Sequence, residues 1–138
     1  MSLNVLLIED EPDVQMVASL ALGTLGGHTV TVADDGLRGL ELARTERPDV
    51  ILLDVMMPRM DGHEVLRLLK ASDTTATIPV IFLSAKAQQK DIDAGLALGA
   101  DGYLTKPFDS IALSEQVQEI VRRASAPPHV ACRADAAC

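Results

Sequence analysis

Apolar residues run without a break over positions 5–8, 50–53 and 80–83. Each run is too short for a free-standing helix and lacks the alternation of a half-exposed strand, so each predicts a strand buried on both faces. Residues 28–33 (HTVTVA) alternate polar and apolar, as expected at a sheet edge, and residues 103–105 (YLT) make a short fifth strand. Helical spacing fills the intervals. Val14, Val17, Ala18, Ala21 and Leu25 share one face after Pro12, with Gly26 and Gly27 as a stop. Further helices are predicted over 36–46, 61–72 and 88–98, the last closed by Gly99, and Leu113, Val117, Ile120, Val121 and Ala124 form the clearest stripe.

Strands alternating with helices imply a parallel sheet with right-handed crossovers. The three continuous apolar runs belong at its centre and the two weaker strands at its edges. The economical arrangement is an α/β, flavodoxin-like doubly wound (βα)5 fold with strand order 2-1-3-4-5. One domain is expected over residues 1–124. Residues 125–138, rich in Ala and Pro, read as a disordered tail; Cys132, Cys138 and His129 within it are read as free side chains rather than a zinc site.

Composition narrows the partners. Hydrophobic residues make up 48% of the chain and aromatics 2%, so the core must be aliphatic. Twenty acidic against twelve basic side chains leave a net charge of -8, which opposes direct nucleic-acid contact and adsorption to anionic lipid. No apolar run approaches a membrane span and the N-terminus lacks a signal-peptide pattern, so the expected location is cytoplasmic, without membrane insertion.

In open α/β sheets, ligands bind beyond the carboxyl ends of the strands where strand order reverses. There the chain concentrates its polar residues: Glu9 and Asp10 after strand one, Asp54 after strand three, Ser84 after strand four, Lys106 and Pro107 after strand five. Crowded carboxylates repel, and a hard divalent cation resolves the repulsion. Carboxylate oxygens with no histidine or cysteine nearby suit Mg2+, which commonly shares its shell with a phosphate. Lys106 and Ser84 supply the charge and hydroxyl that hold phosphoryl oxygens. Asp54, between cation and lysine, is then a nucleophile that forms an aspartyl phosphate.

Four segments in order, IED, LLDVMMPRMDG, FLSAK and DGYLTKPFD, resemble the receiver domain of a two-component response regulator, similar to the single-domain chemotaxis-type regulators. The resemblance implies phosphotransfer to Asp54 from a sensor histidine kinase or a phosphotransfer protein. It also implies Mg2+ held by Glu9, Asp10, Asp54 and the Met56 backbone carbonyl, with Ser84, Ala85 and Lys106 at the phosphoryl group and Tyr103 as the switch aromatic. The Lys106–Pro107 bond is expected cis on the same ground. Output is expected through a protein partner docking on the face of the fourth helix, fifth strand and fifth helix. Glu9 stands where many relatives carry Asp, so its contact with metal is either direct or through water.

Such a protein is a switch rather than an enzyme, apart from its own phosphotransfer and self-dephosphorylation. The latter is expected to be slow because Met56 and Lys86 flank the path of an attacking water. Two alternatives read less well. A haloacid-dehalogenase-like phosphatase needs a second acid two residues after its nucleophile, where this chain has Met56, and a flavodoxin-like cofactor binder conflicts with the anion-repelling turn EDEPD. Asp61 and Gly62 read as a helix start, Gly26, Gly27 and Gly99 as helix stops, and His28 and His63 as residues without chemical roles.

Overall fold

The computed structural model describes residues 2–57, 60–85 and 88–124. Five parallel strands, β1 (Asn4–Ile8), β2 (Thr29–Ala33), β3 (Val50–Asp54), β4 (Val80–Ser84) and β5 (Gly102–Thr105), form one sheet in the order β2-β1-β3-β4-β5. The helices are α1 (Pro12–Ser19), α2 (Gly36–Glu46), α3 (Gly62–Ala71), α4 (Gln89–Ala97) and α5 (Leu113–Ala124). Residues 125–138, with both cysteines and His129, lie outside the described residues, as does Lys86.

The sheet separates two aliphatic cores. Leu6, Ile8, Ile51, Leu53, Val80 and Phe82 face α2 and α3. Val5, Leu7, Val50, Leu52, Ile81 and Leu83 face α1 and α5. This strict alternation makes the central strands apolar at every position between their polar ends, Asn4, Asp54 and Ser84, since both faces are covered and full burial of each such side chain is worth about 1.5–3 kcal/mol.

Local chemistry sets the helix boundaries. Asp35 and Asp61 cap α2 and α3, accepting from the backbone N–H of Arg38 and Glu64. Gly27 and Gly99 adopt left-handed φ values of 76° and 110°, which suit the turns after α1 and α4. The sequence predicts a uniform helix up to Leu25. In the structure regular α-helix ends at Ser19 and the chain continues as a wider π-helical turn over Leu20–Leu25, burying Ala21 and Leu22.

Candidate functional site

Register fixes the site before any side chain is considered. Ile8 pairs with Leu53 across β1 and β3, so Glu9 and Asp54 leave neighbouring strand ends side by side. Both are buried, Asp54 at 2% exposure. From the far side, Ser84 pairs with Thr105, and the Lys106 N–H donates to the Ser84 carbonyl at 2.7 Å, which anchors Lys106 beside the same opening. Its Nζ lies 2.9 Å from Glu9 Oε1, 3.2 Å from Asp54 Oδ1 and 3.7 Å from Glu11 Oε1.

One ammonium therefore serves three carboxylates. Burial pushes the Glu9 carboxyl up to about 7, opposed by its bond to Lys106, while Asp54 adds to the rise. Burial likewise raises Asp54, against the charge of Lys106 and hydrogen bonds that include the Met56 N–H. Burial draws the Lys106 pKa down, but Glu9 and Asp54 outweigh it and the net direction is upward.

The donor set fits a hard cation. Oxygens of Glu9, Glu11 and Asp54 lie within 4.8 Å of one another. Among the described residues, Asp54 Oδ2 and Asp10 Oδ1 are buried without a hydrogen-bond partner, and such atoms are costly unless something positive meets them. These all-oxygen ligands suit Mg2+.

Of the residues singled out from sequence, Glu9, Asp54 and Lys106 are brought into direct contact. Asp10 is half-buried and stands outside the tight three-carboxylate group. Ser84 is buried at the end of β4, Ala85 is exposed just beyond it, and Tyr103 is half-buried on β5. The Lys106–Pro107 bond is cis. Met57 packs in the core, whereas Met56 is 62% exposed and its backbone N–H donates to Asp54 Oδ1 at 3.2 Å.

Glu11 is the residue that sequence reasoning missed. The signal was present: alternate residues of an extended segment point the same way, and Glu11 is extended (φ -86°, ψ 120°), so it follows Glu9 towards Lys106 while Asp10 lies between them. The N-cap of α1, Glu11, makes no side-chain cap bond, while Glu9 Oε2 accepts from the Glu11 N–H at 3.2 Å.

Residues 5–118 match the response regulator receiver domain family. The chain belongs to that family. It is a phosphorylatable signalling switch of the two-component type, and the phosphatase and cofactor-binding alternatives are not favoured. Receiver domains accept phosphate from histidine kinases and bind Mg2+ at an acidic pocket. Over 120 residues the chain is 43% identical to the transcriptional regulatory protein CseB of Streptomyces coelicolor, covering 87% of this chain and 50% of that protein. It is 39% identical over 128 residues to the DNA-binding dual master transcriptional regulator RpaA of Synechocystis, covering 93% and 53%. The chain thus spans about half the length of these relatives. The chemotaxis protein CheY4 of Vibrio cholerae superposes with a TM-score of 0.80 at 30% identity, covering 87% of this chain and 99% of that one. Among the described residues, no helix is long and apolar enough to cross a membrane.

Proposed function

We propose that Asp54 is the phosphoacceptor of this receiver domain, taking phosphate from a phosphohistidine on a sensor kinase or phosphotransfer protein. The observation that carries this reading is the state of its two oxygens. Oδ1 is held by the Lys106 ammonium and the Met56 N–H, while Oδ2 is buried without a hydrogen-bond partner among the described residues, so the carboxylate is oriented yet incompletely satisfied by them. As an Asp54 oxygen bonds to phosphorus, the donor's N–P bond breaks and the imidazole nitrogen keeps the electron pair. Lys106 then shifts its Nζ from the carboxylates to phosphoryl oxygens, and the Ser84 hydroxyl and the backbone at Ala85 provide further donors. Bound Mg2+, held by Glu9, Asp10, Asp54 and the Met56 carbonyl, would neutralise charge that Lys106 alone cannot balance.

A groove of about 400 Å³ opens beside Lys106, lined by Val14, Val17, Pro107 and Phe108 with Glu11 and Asp13 at its rim. Its apolar floor supports docking of the phosphodonor there, next to Asp54. Output through α4, β5 and α5 fits a second hollow on that face, bordered by Ile92, Leu96, Tyr103 and Glu119. The receiver unit is read as residues 1–124, acting in the cytoplasm on a protein partner without itself touching nucleic acid. Slow self-dephosphorylation follows if the exposed Met56 side chain, which cannot orient a water, borders the approach to phosphorus together with Lys86.

Incubation with acetyl phosphate and Mg2+ should add one phosphoryl group by intact mass, and Asp54→Asn should abolish the adduct. An adduct retained in Asp54→Asn would remove Asp54 as the acceptor.

A further inference from the structure

Phe82, on β4, is fully buried in a core that is otherwise almost wholly aliphatic. The Tyr103 ring stands 6.2 Å away at 71°, and the His63 ring 5.3 Å away at 66°, both edge-on. Gly95 of α4 closes the third side. A Cβ at position 95 would lie 2.9 Å from Phe82 Cδ2 and 3.3 Å from Tyr103 Cδ2, so α4 sits directly over the junction of the two rings. Glycine inside a helix costs about 1 kcal/mol relative to alanine. It is the one buried residue of α4, and a Cβ there would enter space the two rings occupy.

The other side of the Phe82 ring leads to the phosphorylation site. His63 follows Gly62, and a Cβ on Gly62 would lie 2.5 Å from the Asp54 carbonyl oxygen and 2.8 Å from Val55 Cα. The Gly62 N–H also donates to the Val55 carbonyl at 2.8 Å. Backbone pressed this closely on backbone leaves no slack, so the first turn of α3 moves with the segment that bears Asp54.

We propose that Phe82 is a positioning residue of the switch: through His63 it ties the backbone at Asp54 to the placement of Tyr103, and Gly95 keeps the seat for both rings open. The inference rests on the receiver reading above. It adds a path through the interior on the α3 and α4 face of the sheet, separate from Ser84. Packed interiors respond to small displacements by changing between discrete arrangements, so a ring wedged between α3 and α4 transmits a shift at one edge to the other. Contiguity becomes coupling only where both ends bias the same two-state element, and the test reads both ends.

Tyr103 is the sole tyrosine and the chain has no tryptophan, so tyrosine fluorescence reports this one ring. Wild type, Phe82→Leu, Gly95→Ala and His63→Leu are each treated with acetyl phosphate and Mg2+. Intact mass gives the adduct, and the fluorescence change is expressed per mole of adduct. All four proteins are expected to label at similar rates, while Phe82→Leu and Gly95→Ala lose about twofold or more of the response per adduct. His63→Leu, a change at a half-exposed side chain that keeps the core intact, is expected to lose part of it. Residues with only a packing role would lower the melting temperature and leave the response per adduct unchanged. That result in Phe82→Leu and Gly95→Ala overturns the proposal, and a full response in His63→Leu overturns its link to Asp54. Should Phe82→Leu not fold, Gly95→Ala and His63→Leu decide the same points. No adduct in wild type would instead overturn the receiver reading, and this inference with it.

Discussion

Glu9 carries a carboxyl group into a position where none of its side chain is exposed, and burial pushes its pKa up to about 7. The sign of the consequence follows from proton counting. Between about pH 4.5 and 7 the folded protein keeps a proton that the unfolded chain releases, so stability from this group is lost as pH rises through that window. Above it, the folded state bears the full cost of a buried charge shared with Lys106. Without divalent cation, Glu9→Gln is therefore expected to melt higher than wild type at pH 8, with the difference shrinking towards pH 5. The expected gain is on the order of 1–3 kcal/mol, since a tenfold change in proton affinity is worth about 1.4 kcal/mol. Mg2+ should stabilise wild type more than the variant, because the variant has lost a charged ligand. Thermal melts at the two pH values, with and without Mg2+, check both statements. Equal melting temperatures at pH 8 would show that Lys106 fully compensates Glu9. At this scale the sequence placed Glu9 and Asp54 together but put Asp10 where Glu11 stands beside Lys106, because that choice depends on which way each side chain leaves the extended segment after its strand.

At the scale of elements, the strands were legible to within a residue. Both faces of β1, β3 and β4 are covered, so every core position had to be apolar and each run ended where the core ended. The π-helical turn after α1 was not legible, because its apolar residues keep a spacing that an ordinary helix also satisfies. Nor was the part played by His28, whose α5 partners are 86 and 90 residues away. Its Nδ1 accepts from the Leu3 N–H at 3.0 Å and so carries no proton, which leaves Nε2–H to face Ser114 Oγ at 2.8 Å on α5. The ring joins the segment ahead of β1, the end of the π-helical turn and α5, and its burial lowers its pKa from 6.5. On acidification the unfolded chain takes up this proton first, so stability is lost as pH falls below about 6.5. Glu9 acts with the opposite sign over an overlapping range. Wild type should therefore show a muted dependence between pH 5 and 7, while Glu9→Gln removes one of the opposing carboxyl contributions and should make the His28 slope steeper than in wild type. Adding His28→Ala to Glu9→Gln should remove that slope and cost about 1–3 kcal/mol at pH 8 through the lost bonds to Leu3 and Ser114. Urea denaturation across this range tests the pair; a slope that survives His28→Ala would assign it to another group.

For the whole molecule, what matters is how unevenly the sheet holds its helices. In α3, Gly62, Val65, Leu66 and Leu69 are buried, and in α5 Leu113, Val117, Ile120 and Val121. In α4 only Gly95 is, while Leu96 just beside it is 43% exposed. Local opening free energies follow buried apolar contact, so α4, which buries no large apolar side chain, is expected to open at a lower free energy than β3, which is buried at every position. The phosphoryl group need supply only the difference between two arrangements of that weakly held helix, and a modest differential interaction suffices to move a population that is already mixed. The charge added at Asp54 would then be read out mainly where the fold resists least, next to Tyr103. Native-state hydrogen exchange should find amides of residues 89–97 opening at least about 2 kcal/mol below the global unfolding free energy, with β3 amides exchanging only through global unfolding. After labelling with acetyl phosphate and Mg2+, altered protection should concentrate over α4 and β5 rather than α2, and Ser84→Ala should label yet lose much of that change. If α4 exchanges as slowly as β3 before labelling, the movable part of this receiver lies elsewhere in the sheet.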